Sequence, residues 1–145
     1  MKGVIADANF LGQLKRLLTI LESEEWLPYW QPLSLQVYDF DDIGLSLDAA
    51  DRIVWERCQH EKLVLITGNR NDDGPDSLEA VIREAGGSGL PVFTISDERR
   101  VMQDGNYARK VAINLLEYMI DLRDRPEVVL GSGRIFLPKN PAPHA

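Results

Sequence analysis

Short apolar runs alternate with segments whose apolar residues recur at helical spacing, and this alternation is the feature that most constrains the fold. The runs GVIA, LSLQVYDF, LVLIT, PVFTI and RIFL are typical of strands, and most are followed by amphipathic segments. The pattern predicts an α/β protein with a mainly parallel sheet of four or five strands and helices on both faces. We expect GVIA to be a central strand, near LVLIT and PVFTI.

The length of 145 residues predicts one domain, which we place at residues 1–138, with a flexible tail at 139–145. Pro28 and Pro32 should end the first helix, because proline interrupts the helical hydrogen-bond ladder. Asp76, followed by Glu79, is a helix-start signature before the apolar stripe that begins at Leu78. Gly86 should end that helix.

The charge and cysteine content exclude several classes of protein. The net charge of −7 argues against binding nucleic acid by bulk positive charge, although not against an enzyme that contacts it transiently. The single cysteine, Cys58, excludes an internal disulfide and fits a reducing, cytoplasmic compartment. With one Cys and two His a structural zinc site is improbable, so any metal should be a hard cation with oxygen ligands. We expect no membrane span.

Polar residues that follow the predicted strands mark where chemistry should occur, because ligands in open parallel sheets bind beyond the carboxyl ends of the strands. Clustered carboxylates there would hold Mg²⁺ or Mn²⁺ and suit phosphodiester hydrolysis. The candidate metal ligands are Asp7, Asp51, Asp72, Asp73 and Asp97, of which Asp7, Asp51, Asp72 and Asp97 are the candidate catalytic acids. The candidate substrate-binding residues are Asn9, Asn69, Arg70, Asn71 and Arg99.

Each of these acids also has a purely structural interpretation. Asp7 or Asp97 can cap the helix that follows it. Asp48 can cap the next helix, with Asp51 favoured there by the helix dipole. Asp72 and Asp73 precede Gly74 and Pro75, which together form a strong turn signal.

Three motifs in order, VIADAN, DAADRIV and LVLIT followed by a polar cluster, resemble PIN-like nuclease domains, in particular the small relatives of toxin ribonucleases. The resemblance covers roughly residues 3–100. It implies a three-layer α/β/α sandwich, Mg²⁺ or Mn²⁺, and cleavage of single-stranded RNA. It assigns Asp7 as the first acid, with Asn9 supporting it, and Asp51 as the acid that opens the helix before the third strand.

The third acid of the family pattern is displaced in this chain. The family places Asp two residues after the Thr, and often again two residues later, where this chain has Asn69 and Asn71. The nearest acids, Asp72 and Asp73, come directly after Asn71 in the sequence. The alternative function is therefore a non-catalytic PIN-like module that binds a protein partner or a nucleotide. Asn69 and Asn71 favour this alternative, and Asp7 and Asp51 oppose it.

The resemblance also implies partners. Small PIN-like domains commonly self-associate, and a toxin-type nuclease implies an antitoxin-like protein. Four large aromatic side chains, Trp26, Tyr29, Trp30 and Phe40, are more apolar surface than one loop normally hides. We therefore expect a homodimer or a larger assembly.

Overall fold

The structure is a computed structural model, and it describes residues 1–68, 77–86 and 89–139. One sheet of five parallel strands organises it, in the order β2-β1-β3-β4-β5. The strands span Gly3–Ala6 (β1), Gln36–Tyr38 (β2), Leu63–Gly68 (β3), Val92–Ile95 (β4) and Arg134–Leu137 (β5). The helices span Leu11–Leu21 (α1), Leu27–Trp30 (α2), Asp51–Glu61 (α3), Leu78–Ala85 (α4), Glu98–Gln103 (α5) and Gly105–Asp124 (α6).

The predicted α/β/α architecture is confirmed, with one core on each face of the sheet. Alternate strand residues such as Val4, Val64 and Phe93 pack with the buried sides of α1 and α6. The intervening residues, including Ile5 and Leu65, pack with α3 and α4. Strand β1 lies inside the sheet between β2 and β3, as expected, although the middle strand is β3.

Strand β1 approaches β2 so closely that position 3 must be glycine. A Cβ atom at Gly3 would overlap the backbone carbonyl of Gln36. All four residues of β1 are buried, as are all six of β3, which fits strands covered on both faces. This tight central part of the sheet fixes the position of whatever follows β1 and β3.

Two helix boundaries differ from the sequence prediction. The cap of α4 is Ser77, whose Oγ accepts from the Ala80 N–H at 3.2 Å, rather than Asp76. Leu27–Trp30 forms a short helix in the segment where the prolines predicted only a break. Pro28 lies in its first turn, where the missing N–H costs nothing because that group has no partner within a helix.

The aromatic residues that suggested a dimer surface are mostly inside the protein. Trp30 and Phe40 are buried, and Trp26 packs partly against the core on the α1 and α6 side. Only Tyr29 of the four is exposed, at 56%. The inference of a large aromatic surface is therefore wrong, and the homodimer remains a prediction without that support.

Within the described part of the chain, no helix has the length and apolar content needed to cross a bilayer.

Candidate functional site

Asp7 lies directly beyond β1, at the point where the chain reverses its direction across the sheet. The connection from β1 leads to β2 on one side, whereas β3, β4 and β5 follow on the other. Such a switch point, at the carboxyl ends of the strands, is where doubly wound α/β proteins bind ligands. The strand order therefore marks the gap between the ends of β1 and β3 as the candidate site.

The carboxylate of Asp7 is buried and hydrogen-bonded. Ala6 of β1 pairs with Ile66 of β3, so the residues that follow them, Asp7 and Thr67, are neighbours across the two strands. The Thr67 hydroxyl donates to Oδ2 at 2.7 Å, and the Ala8 N–H donates to Oδ1 at 2.9 Å. Asp7 is 7% exposed and Thr67 is fully buried. A buried carboxylate costs free energy unless donors meet it, and these two donors fix its orientation.

Asp7 does not cap the helix that follows it. The residue before α1 is Phe10, and no side chain caps that helix. A turn closes instead through the Phe10 N–H, which donates to the Asp7 carbonyl at 3.0 Å. Asn9 has φ of 67° in this turn. Asparagine is one of the few residues that tolerates this left-handed conformation, so backbone geometry is sufficient to explain it there.

A cavity of about 200 Å³ opens beside Asp7, and it contains an acid that the sequence analysis missed. Its lining is formed by Asp7, Ala8, Asn9, Phe10, Thr67, Gly68 and Glu98. Glu98 is the first residue of α5, and its carboxylate lies over Gly68, where a Cβ would overlap it. The small residue that ends β3 is thus what admits Glu98 to the site. No motif in the sequence singles out this pairing, since it depends on how α5 returns over the sheet.

A second, smaller cavity of about 130 Å³ borders Asp7 on the β2 side. It is mainly apolar, with Phe40, Leu11 and Leu47 in its wall. Asp39 and Asp41 also border this cavity. Both cavities border Asp7, Ala8 and Asn9, and Asp7 is the acid that they share.

Asp51 connects the beginnings of two helices. It is the first residue of α3, and its Oδ2 accepts from the Leu78 N–H, the first of α4, at 3.1 Å. Both helix N-termini carry partial positive charge, which favours a carboxylate between them. Asp48 instead accepts a hydrogen bond from the Ser46 hydroxyl, and Ala50 occupies the capping position of α3. The proposed Asp48 cap is therefore wrong, whereas the helix-dipole interpretation of Asp51 agrees with the geometry.

Asp97 serves as a helix cap. Its Oδ1 accepts from the Arg100 N–H at 3.2 Å at the start of α5. Its own N–H donates to the Tyr107 hydroxyl at 3.0 Å. The residue of this turn that borders the cavity is Glu98 rather than Asp97. Arg99 is exposed on α5, whereas Arg100 pairs with Asp104 at 3.2 Å.

A buried arginine lies on the same face of the sheet as Asp7. The Arg134 side chain is 8% exposed and donates to Glu79 Oε2 at 2.9 Å and to Thr94 Oγ1 at 2.8 Å. These bonds attach the first turn of α4 to β4 and β5. The sequence shows only a charged residue at the start of the run RIFL, which does not identify the partners.

Cys58 lies on α3 in the core on this face. Burial, and then the negative charge of Asp7, raise the pKa of its thiol to about 12. A neutral thiol of this kind is neither a nucleophile nor a metal ligand. Cys58 is therefore a core residue whose thiol pKa depends in part on the charge of Asp7.

The described residues 1–68, 77–86 and 89–139 contain no group of three His, Cys, Asp or Glu side chains close enough to hold a metal ion together. Asn69, Arg70, Asn71, Asp72 and Asp73 lie outside the described residues. Asp7 and Glu98 share a cavity, and Mg²⁺ is commonly bound through one or two carboxylates with water in the other positions. Asp7 and Glu98 are therefore donors of the type that such an ion takes.

Comparison of the chain with known protein families, with curated proteins and with solved structures finds no match. The class is therefore defined by the fold and the position of the site. The chain is a doubly wound parallel α/β protein with a buried carboxylate at its switch point.

Proposed function

We propose that the chain is a PIN-like, metal-dependent endoribonuclease that cuts single-stranded RNA. The observation that carries the proposal is the Asp7 carboxylate, which is 7% exposed, oriented by Thr67 and placed at the wall of a cavity. This carboxylate caps no helix, and its two donors hold it at the switch point, where doubly wound proteins bind ligands.

Asp7 and Glu98 are the described residues that would hold Mg²⁺ or Mn²⁺. The bound ion would lower the pKa of a water molecule and neutralise charge on the phosphate that is attacked. Thr67 keeps one oxygen of Asp7 in place, and the Ala8 N–H keeps the other. Asn9 borders the same cavity. Exposed Arg99, one residue after Glu98, would attract the RNA backbone toward it.

The decisive experiment measures cleavage of an unstructured, end-labelled RNA in the presence of Mn²⁺. Asp7→Asn and Glu98→Gln should each reduce cleavage to background. Asp97→Asn is the matched control, because it removes the same charge at the same end of the sheet and asparagine caps a helix about as well as aspartate. Cleavage that persists in Asp7→Asn, or that is lost equally in Asp97→Asn, would contradict the proposal.

A second candidate function is a non-catalytic PIN-like module that binds a protein partner or a nucleotide. The observation in its favour is that Asp51 and Asp97 are engaged with helix N-termini. Among the described residues, this leaves Asp7 and Glu98 as the acids that border the cavity. Absence of cleavage by the folded wild-type protein, with both Mg²⁺ and Mn²⁺, would favour this module.

The cellular setting proposed here is that of a cytoplasmic toxin-type protein that forms a homodimer and has an antitoxin-like partner. Light scattering checks the assembly state. A mass near that of one chain, 16.4 kDa, would contradict the homodimer.

A further inference from the structure

The net negative charge of this chain arises from one segment. Residues 17–51 contain eight Asp and Glu and no Lys or Arg, whereas the whole chain has a net charge of −7. The rest of the chain therefore carries one net positive charge. Charge that is segregated in this way makes a local field that attracts cationic partners and repels anionic ones.

Two acids that follow β2 border an apolar cavity. Asp39 and Asp41 border the cavity of about 130 Å³, and Phe40, Leu11 and Leu47 form much of its wall. Within the described residues, neither Asp39 nor Asp41 forms an ion pair with a Lys or Arg. An apolar cavity of ~150 Å³ can hold a benzene molecule, so this one has room for about one side chain.

The loop that carries this cavity is ordered by its own hydrogen bonds. Asp39 and Asp42 accept from each other's backbone N–H groups, at 3.0 and 2.8 Å. Arg57 of α3 donates to the Ile43 carbonyl at 2.6 Å, which attaches the loop to the helix. Leu47 is nevertheless 72% exposed at the end of this loop. Because the loop is already ordered, its exposed apolar side chain is preorganised for a contact, and this lowers the conformational entropy cost of binding.

We propose that the loop over residues 39–48 docks a cationic, amphipathic segment of a partner protein. One apolar side chain of the segment enters the cavity against Phe40 and Leu47, and Lys or Arg side chains beside it pair with Asp39 and Asp41. The acids favour a protein segment of this chemistry over RNA, whose phosphates they repel. The proposal holds whether or not the chain cleaves RNA.

The test uses a short, fluorescein-labelled synthetic peptide of lysine and leucine with an amphipathic pattern, and measures its binding by anisotropy at physiological salt. The double variant Asp39→Asn/Asp41→Asn should weaken binding about tenfold, because each exposed ion pair contributes modestly to affinity and the variant removes two of them. Asparagine keeps the acceptor that orders the loop. The matched control is Glu22→Gln with Glu24→Gln, which removes the same charge beyond the end of α1 and should change binding less than about twofold.

The apolar contact is tested separately. Leu47→Ser should weaken peptide binding about threefold, because it removes apolar area from the contact. Val128→Ser, at an exposed apolar residue away from the cavity, should not change it. Melting temperatures of all variants establish that they are folded.

Three outcomes would overturn the proposal. Equal loss in the two double variants would show bulk charge attraction only. Unchanged binding in Leu47→Ser, together with undiminished binding of a peptide with alanine in place of leucine, would show that no apolar contact exists. Binding of a single-stranded oligonucleotide that requires Asp39 and Asp41, without binding of the peptide, would assign the loop to nucleic acid instead.

Discussion

The ends of β1 and β4 both carry an aspartate one or two residues beyond the strand, yet the two acids have different surroundings. After β4, α5 begins at the residue that follows Asp97, and the Asp97 carboxylate accepts a hydrogen bond from a backbone N–H of that helix. At β1, the turn at Ala8 and Asn9 separates Asp7 from α1, and its carboxylate meets Thr67 of β3 instead. A carboxylate after a strand is thus a site candidate when the next helix does not use it as a cap.

The largest effect should come from removing the donor that distinguishes the β1 end. Thr67→Val removes the hydroxyl that donates to the buried Asp7 carboxylate, so the free energy of unfolding should fall by about 1–3 kcal/mol. Urea denaturation measures the change. Thr19→Val removes an exposed hydroxyl that bonds within α1, and it should have almost no effect. Equal stability of Thr67→Val and wild type would mean that Asp7 does not depend on this donor.

Cys58 offers a pH-dependent comparison, since Asp7 raises its pKa and Asp97 is not among the causes of its shift. The folded pKa of about 12 lies above the ordinary thiol value of 9.0, so the folded state retains the proton to higher pH. The stability linked to this group is complete below pH 9 and is lost as the pH rises toward 12. The stability advantage of wild type over Cys58→Ala should therefore be constant at neutral pH and shrink above pH 9. A constant difference up to pH 10.5, about the limit of a reversible measurement, would be inconsistent with the raised pKa.

The β4 end should respond as a helix cap does. Asp97→Ala should lower the free energy of unfolding by about 1 kcal/mol, whereas Asp97→Asn should lower it by much less. Thermal or urea unfolding of the two variants separates them. Equal destabilisation by Ala and Asn would show that the charge of Asp97, rather than its capping bond, is what contributes.

Gly68→Ala should have the smallest effect on the fold and a specific effect on the site. The new Cβ would overlap the Glu98 carboxylate, which is the end of a flexible side chain and can move away. We expect nearly unchanged stability without metal and weaker stabilisation by Mn²⁺ in thermal melts. Full stabilisation by Mn²⁺ in this variant would remove Glu98 from the proposed ion site.

The sequence was sufficient for the architecture and for two of the residues that border the cavity, Asp7 and Asn9. Buried strands and amphipathic helices have distinct periodicities, so the element order and the parallel sheet could be predicted. Asp7 could be placed at the sheet edge because it follows a fully apolar strand. Glu98 and Arg134 could not be predicted, since their roles depend on contacts of α5 with Gly68 and of β5 with Glu79. The dimer surface expected from Trp30 and Phe40 lies in the core instead, because an aromatic cluster near prolines has the same sequence pattern whether it packs inside the chain or against a partner.

Metal-linked stability tests the central claim, that Asp7 is a cation ligand and Asp97 a cap, most directly. A ligand present at ten times its Kd stabilises the folded state by about 1.4 kcal/mol. For a chain of this length that corresponds to a rise in Tm of roughly 3–6 °C. Melting curves with and without millimolar Mn²⁺ should show this rise in wild type and in Asp97→Asn, and almost none in Asp7→Asn. The same rise in all three proteins, or none in any of them, would contradict the claim.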